Sequence, residues 1–468
     1  MAEYKYPGDV RWLTHDNPHI LFAELAREQG PVVPLASRRK LVVINGLETI
    51  TEVLKDQADK LKRPTSPRVL QNSPGTWSVE IKDGEAHKQH KRIVVDAIHD
   101  FVTSRNPEVE AHASQTIDFI IDEIATGRPI DPDLPVGAGI ISHAYFLNFG
   151  SILTREMAFE LASEMNNLEH FIQSAVPGRF GTFKQELAPP VEKQTSADEF
   201  DIFLKNRDAM VEQVKKQIAE HRRSFDPNNL RDMTDGLIKA SNDYSQRSPK
   251  DMRLSEKDIL IGSLFQLFGA SKGTLFFFMM YALHYMAVWP EIQTAIQKEL
   301  DKITARGAQP GSSHRREMSL TEACMWEILR HSSLMALPAF NYETKQEVTA
   351  AGRKLDKGTI IFVNYYSTTR DERYWPEPES FDPMRFLDRD GKIDSDQTNK
   401  FLPFGIGPHK CLANHWAQTS MLTLFATLVS RCRFEMAPST PRRLKQQANI
   451  FLLPHKYELI AVRRESVV

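Results

Sequence analysis

The chain has 468 residues, 41% hydrophobic and 26% charged, the composition of a globular protein large enough for an extensive core. A formal net charge of −2 gives no global attraction for nucleic acid, so no nucleic-acid partner is expected. Three cysteines, Cys324, Cys411 and Cys432, are too few and too scattered for a disulfide framework, which points to a reducing compartment.

Met1 to Gly8 holds neither an apolar signal run nor the roughly 20 residues that cross a bilayer, so no transmembrane segment is expected there. Asp16-Asn17-Pro18-His19 opens a helix that runs through Glu28. Gly30-Pro31 breaks it, Val32-Val33 and Leu41-Val42-Val43-Ile44 read as a hairpin, and Gly46-Leu47-Glu48-Thr49 starts another helix. From Pro64 to Asp83, Pro, Ser and Gly predominate and an irregular loop is expected. Helical patterning covers Ala86 to Val102 and Val109 to Ala125. A polar loop between Pro189 and Ala197 precedes a charged amphipathic helix from Asp198 to Ser224.

Ser255 to Val288 is the longest apolar stretch. Lys257, Asp258, Gln266, Lys272 and His284 argue against a membrane span, so a long core helix ending at Trp289-Pro290 is expected. In Glu327-Ile328-Leu329-Arg330 the acid and the base stand at i and i+3 of a helix and share one face. Leu337-Pro338-Ala339-Phe340 is expected to be extended, because a proline biases the residue before it away from helix.

The most telling segment comes late: Phe404-Gly405-Ile406-Gly407-Pro408-His409-Lys410-Cys411-Leu412-Ala413 presents one cysteine from a glycine-kinked loop at the start of an apolar helix. A thiol binds iron only when deprotonated, and free N–H groups at a loop-to-helix junction favour that state. The pattern Phe-Gly-x-Gly-x-His-x-Cys resembles the heme-binding loop of the cytochrome P-450 superfamily, in its class E, microsomal-type group. Glu327 and Arg330, Arg370-Asp371-x-x-x-Trp375 and Phe381-Asp382-Pro383-Met384-Arg385-Phe386 follow that family's order, and the resemblance covers most of the chain.

The resemblance implies a single mainly α domain, residues 1–468, with a small β-rich lobe near 30–60 and 340–365. Heme b, iron protoporphyrin IX, would lie between the long distal helix and the helix of the cysteine loop. Cys411 would be the axial ligand, with Phe404, Gly405, Gly407, His409 and Ala413 forming its cradle. His87 with Lys91 or Arg92 would hold a heme propionate. Glu327, Arg330 and Arg385 would be a structural scaffold, Thr274 a catalytic proton-relay alcohol, and Phe268, Ala270, Ala339 and Phe340 substrate contacts. The loops around 64–83 and 189–197 would cap the pocket. A basic face comprising Lys88, Lys91, Arg92, Lys400, Lys410 and Arg433 would receive a flavodoxin-like reductase or a ferredoxin. A monomer is expected, soluble and cytoplasmic, or a membrane-anchored protein truncated at Tyr6-Pro7-Gly8.

Three departures stand out. Ala413 and Lys91 replace the more usual glycine and arginine, and in Ala270-Ser271-Lys272-Gly273-Thr274 the acid that normally precedes the threonine is Gly273. Oxygen activation consumes protons that acid and alcohol share through water, so losing the acid slows or reroutes it. Gly273 also suggests a local opening of the helix from Ser271 to Thr274, and Lys272 is expected to reach solvent. The leading reading is a monooxygenase that hydroxylates or epoxidises a medium-sized lipophilic molecule. The alternatives are a peroxide-using or rearranging heme-thiolate enzyme, and a non-catalytic heme sensor or carrier.

Overall fold

The computed structural model describes residues 6–13, 15–64, 77–164, 197–247, 254–304, 309–338, 340–448 and 451–464. Much of the expected loop at 64–83, the polar loop before Ala197, and Ala339 lie outside them. Helix α1 (Pro18–Gln29) begins with proline, tolerated there because the first N–H groups of a helix have no partner anyway. Strands β1 (Val32–Pro34) and β2 (Leu41–Asn45) form the expected hairpin, Val33 opposite Val43. Helix α2 (Leu47–Thr51) runs directly into a π-helical turn, Glu52–Asp56.

Strand β2 pairs in parallel with β7 (Ile360–Asn364), Val43 opposite Phe362, although more than 300 residues separate them. Both strands are buried throughout, which is why each reads as an unbroken apolar run instead of an alternating one. Strands β4 (Tyr342–Thr344) and β3 (Leu61–Lys62) complete a five-stranded sheet in the order β1-β2-β7-β4-β3. This sheet brings the chain near residue 60 beside the chain near residue 342.

The remaining mass is helical. Helix α3 (Gly84–Ile124) comprises the two helices expected from Ala86 and Val109, which meet at a kink of non-helical backbone at Arg105 (φ −126°, ψ 17°), where Pro107 denies the ladder an N–H. Helices α4 (Asp133–Phe149), α5 (Ala197–Arg223) and α6 (Met233–Arg247) follow. Helix α7 (Ser263–Val288) continues from a π-helical turn, Lys257–Gly262, and is apolar on nearly every side. Such a helix must be covered all round. It packs against α4, against α9 (Ser319–Ser332) and against α10 (Asn414–Arg431), with α8 (Pro290–Ile303) at its end. Lys257–Val288 is long and apolar enough to cross a membrane, but 67% of its most apolar window is buried inside the protein.

At the junction of α5 and α6, His221 Nδ1 meets the Gln217 carbonyl at 2.7 Å and Nε2 meets Asp232 Oδ2 at 2.7 Å. Arg231 is bound to Asp235, whose N–H donates to Asp232 at 3.0 Å. With both ring nitrogens facing oxygen acceptors, a neutral imidazole satisfies only one of them, so the pair favours the imidazolium and leaves no lone pair for a metal. Burial drives the His221 pKa down, but Asp232 and the Gln217 carbonyl outweigh it and raise it above 6.5. Burial likewise pushes the Asp232 carboxyl up against the pull of His221. A histidine with a raised folded-state pKa stabilises fully below its unfolded value, and that stability fades as pH climbs through the folded value. The unfolding midpoint of the wild type should therefore exceed that of His221→Gln most at about pH 6 and least at about pH 9. A gap that widens with pH contradicts the ion pair.

Candidate functional site

Gly405 and Gly407 both take left-handed backbone (φ +69° and +76°), and a Cβ on Gly407 would stand 2.0 Å from the Leu54 carbonyl oxygen. The loop is thus pressed against the π-helical turn after α2, a position only glycine fills. Cys411 N–H closes the loop on the Phe404 carbonyl at 2.8 Å, and Ala413 caps the start of α10. Protein surrounds Cys411 on most sides, yet its surface stays open, which makes it the floor of a cleft. Burial pushes its thiol up to about 11, against the pull of a hydrogen bond from the Ala413 backbone. The expected backbone N–H is thus present at the sulfur, and a metal cation bound there would favour the thiolate further.

Behind the loop, Arg330 grips Glu327 through two hydrogen bonds of 2.7 Å, and both side chains are fully buried. The guanidinium also donates to the carbonyls of Thr369, Pro378 and Ser380 at 2.9, 2.9 and 3.1 Å. Asp382 N–H reaches Glu327 at 2.8 Å, and Arg385 Nε lies 3.8 Å from the same carboxylate. Trp326, beside Glu327, meets the Phe404 ring edge-on with centroids 6.2 Å apart. The three scaffold residues thus stand together, and α9, which carries Glu327 and Arg330, touches the cysteine loop through Trp326.

Beside the loop, two cations, Arg63 and Lys91, stand with two histidines, His87 and His409. The rings of His87 and His409 are 4.0 Å apart, and Lys91 donates to the Pro408 carbonyl at 2.6 Å. Arg63 lies 4.4 Å from the Tyr342 ring and donates to the carbonyls of Phe340 and Asn341. Asp83, 3.7 Å from His409, faces the histidine and the arginine. Burial first, then His409, Lys91 and Arg63, drive the His87 pKa down to about 3. Sequence reasoning missed Arg63. Its signal, a lone arginine before Pro64, means nothing until the pairing of β3 with β4 sets it beside Tyr342.

Other expected residues fall differently. Arg92 points to solvent, 3.7 Å from Asp96, so Lys91 alone of the two faces the loop. Phe268 is buried, its ring 6.4 and 6.0 Å from those of Tyr145 and Phe149. Phe340 is half-buried, 5.6 Å from Arg63. Lys272 is fully buried over the Phe276 ring at 5.0 Å and does not reach solvent. Of the basic face, Arg433 pairs with Glu435 on β8 (Cys432–Met436).

Helix α7 stays continuous across Ser271–Thr274, so the expected local opening is absent. The hydroxyls of Ser271 and Thr274 donate to the carbonyls of Leu267 and Ala270, at 2.6 and 2.7 Å. Gly269 and Ala270 are exposed in the middle of this otherwise buried helix. Iron protoporphyrin fits these features. It would supply a cation for the Cys411 sulfur, two carboxylates for Arg63, Lys91 and the histidines beside them, and a partner for the His409 Nδ1, which is buried with no hydrogen-bond partner among the described residues.

The profile of the cytochrome P450 family matches residues 6–461. The chain is 27% identical to the polybrominated aromatic compounds synthase of Pseudoalteromonas luteoviolacea over 95% of this chain and 91% of that protein. It is 28% identical to cytochrome P450 1A1 of Oryctolagus cuniculus over 93% and 86%. A zebrafish cytochrome P450 solved with abiraterone shares the fold, with a TM-score of 0.80 at 21% identity, covering 96% of this chain and all of the other.

Arg330→Ala should cost about 3–5 kcal/mol in denaturant unfolding, because it strands the buried Glu327 carboxylate; a loss within about 0.5 kcal/mol contradicts the scaffold role. Lys91→Ala should weaken heme retention, measured by transfer to apomyoglobin, while Arg92→Ala leaves it unchanged. The reverse order contradicts the assignment of Lys91.

Proposed function

The chain belongs to the cytochrome P450 family of heme b monooxygenases, and on that footing we propose that it hydroxylates or epoxidises a medium-sized lipophilic molecule with O2. The carrying observation is Cys411, an open-surfaced sulfur at the head of α10 beside the Arg63, His87, Lys91 and His409 cluster. Bound there, heme supplies the oxygen chemistry, and the thiolate enriches the iron in electron density.

The chain's own residues supply the rest. Cys411 gives the donor sulfur, while Glu327, Arg330 and Arg385 hold the segments around it, so that the sulfur arrives pre-placed. His87, Lys91, His409 and Arg63 would hold the propionates. Ala270 and Gly269 leave room on the other side. Thr274 holds its hydroxyl proton on the Ala270 carbonyl, and giving it up requires breaking that bond.

Electrons come from a separate flavodoxin-like reductase or ferredoxin, docked by charge on Lys88, Arg92, Lys400 and Lys410. The free cysteines Cys324, Cys411 and Cys432 support a reducing, cytoplasmic setting. A second reading, oxidation driven by peroxide, is favoured by one observation: Gly273 brings no acid and Thr274 is turned to its own helix.

Product analysis under labelled O2 with NADPH and a surrogate reductase tests this. The expected result is one labelled oxygen per product, dependent on the reductase and lost in Cys411→Ser. Turnover with hydrogen peroxide but none with O2 and reductase replaces it with the second reading. No oxidised product under either regime, across a lipophilic panel, overturns both.

A further inference from the structure

A row of aromatic rings runs from the cysteine loop to the protein surface. It starts at Phe404, whose ring meets Trp326 edge-on with centroids 6.2 Å apart. Two buried rings bridge Trp326 to Trp375: Phe401 lies 6.1 Å from the first and 5.8 Å from the second, and Phe386 lies 6.5 and 5.5 Å away. Tyr374, one residue before Trp375, is half-buried where Trp375 is fully buried, so the row leaves the core there. Its hydroxyl donates to Glu48 Oε1 on α2 at 2.6 Å, the length of a charge-assisted bond.

Indole and phenol rings give up an electron far more readily than a phenylalanine ring, and Trp326, Trp375 and Tyr374 are the members of the row that carry them. An indole that loses an electron gains positive charge, which needs a polar partner where water is excluded. Trp326 Nε1 donates to the Glu322 carboxylate, itself held by Arg315, at 3.4 Å. Trp375 Nε1 donates to the Thr368 carbonyl at 2.8 Å, and the Arg330 guanidinium 5.3 Å from its ring is already matched by Glu327. Tyrosine behaves differently, because its oxidised phenol releases the O–H proton and ends neutral. Glu48 stands within reach of that proton. Burial raises the Glu48 pKa, but Tyr374 and Arg373 outweigh it and hold the carboxyl below its ordinary value, so it is ionised at neutral pH. With no net charge left on the phenol, Arg373 and Lys400, each 5.2 Å from the Tyr374 ring, do not oppose the step.

We propose that Trp326, Trp375 and Tyr374 form a one-electron path that drains oxidising equivalents from heme at Cys411 to the surface, with the Glu48 carboxylate accepting the phenolic proton. Hydrogen peroxide is the oxidant and takes two electrons from the heme. Tyr374 returns one of them through Trp375 and Trp326, its O–H bond breaks, and the proton passes to Glu48. A diffusible one-electron reductant of the ascorbate class then gives Tyr374 an electron, Glu48 gives back the proton, and a second passage replaces the second electron. The path spares the protein when oxidised heme meets no guest. It goes beyond the proposed function and rests on that reading only for heme bound at Cys411.

The test uses the heme-loaded full-length protein with no guest, as wild type, Tyr374→Phe, Glu48→Gln and Trp326→Phe. Each is mixed with hydrogen peroxide, frozen at once and read by electron paramagnetic resonance. The loss of heme absorption under continued peroxide is followed with and without ascorbate. The wild type should show a tyrosyl spectrum that Tyr374→Phe and Trp326→Phe lose and Glu48→Gln diminishes. Heme in Tyr374→Phe and Trp326→Phe should bleach severalfold faster than in the wild type, and ascorbate should protect the wild type far more than Tyr374→Phe. Tyr374 and Glu48 lie outside the cleft, so their variants keep the wild-type absorption before peroxide is added.

A tyrosyl spectrum that survives in Tyr374→Phe places the unpaired electron elsewhere, such as Tyr342, whose ring is 6.0 Å from that of His409, and overturns the path. A wild type that bleaches without any protein radical overturns it too, as do variants that bleach at the wild-type rate. All of these leave the resting heme absorption intact and are independent of the labelled-oxygen products by which the proposed function fails.

Discussion

A buried guanidinium with no water to solvate it governs how this protein holds its sulfur. Arg330 survives burial only because Glu327 and three backbone carbonyls surround it, and those carbonyls come from a meander up to fifty residues further along the chain. Meeting that one side chain's hydrogen-bonding demand fixes the meander to α9. Trp326, next to Glu327, then abuts Phe404, and the loop that begins there ends at Cys411. The pair contributes placement more than net stability, since buried ion pairs roughly break even against apolar packing. The sulfur is thus held between a helix it touches through aromatic rings and a π-helical turn that tolerates only glycine at 407.

The two sides of the cleft differ in electrostatic character. On the sulfur side, Arg63 and His409 face the Asp83 carboxylate, and burial pushes the Cys411 thiol up. On the α7 side, polar groups are turned away: hydroxyls donate to their own helix, and Lys272 is buried over a phenylalanine ring. One face therefore suits a charged disc held by its edge and its metal. The other offers shape and apolar area to a guest.

Legibility in the sequence followed the range of the interactions. The cysteine loop was readable because its glycines, histidine and cysteine act within eight residues, and the Glu327–Arg330 spacing because a helix puts i and i+3 on one face. The β2–β7 pairing was only partly legible: each buried strand announces itself as an apolar run, but nothing local names its distant partner. Arg63 and the burial of Phe268 were illegible for the same reason, since their neighbours are set by chain crossings. Lys272 was misread because its aliphatic stem and charge suggest a route to solvent, which tertiary packing closed. The kink at Arg105 was legible as the gap between the two expected helices, and Pro107 supplies its physical cause.

Everything rests on the Cys411 sulfur as the donor to the heme iron. The absorption spectrum of the reduced protein under carbon monoxide measures that donation directly. A strongly red-shifted Soret band in the wild type, lost in Cys411→Ser while heme stays bound, is the predicted result. A wild-type band at the position given by a histidine ligand, or a band indifferent to the serine substitution, would contradict the account.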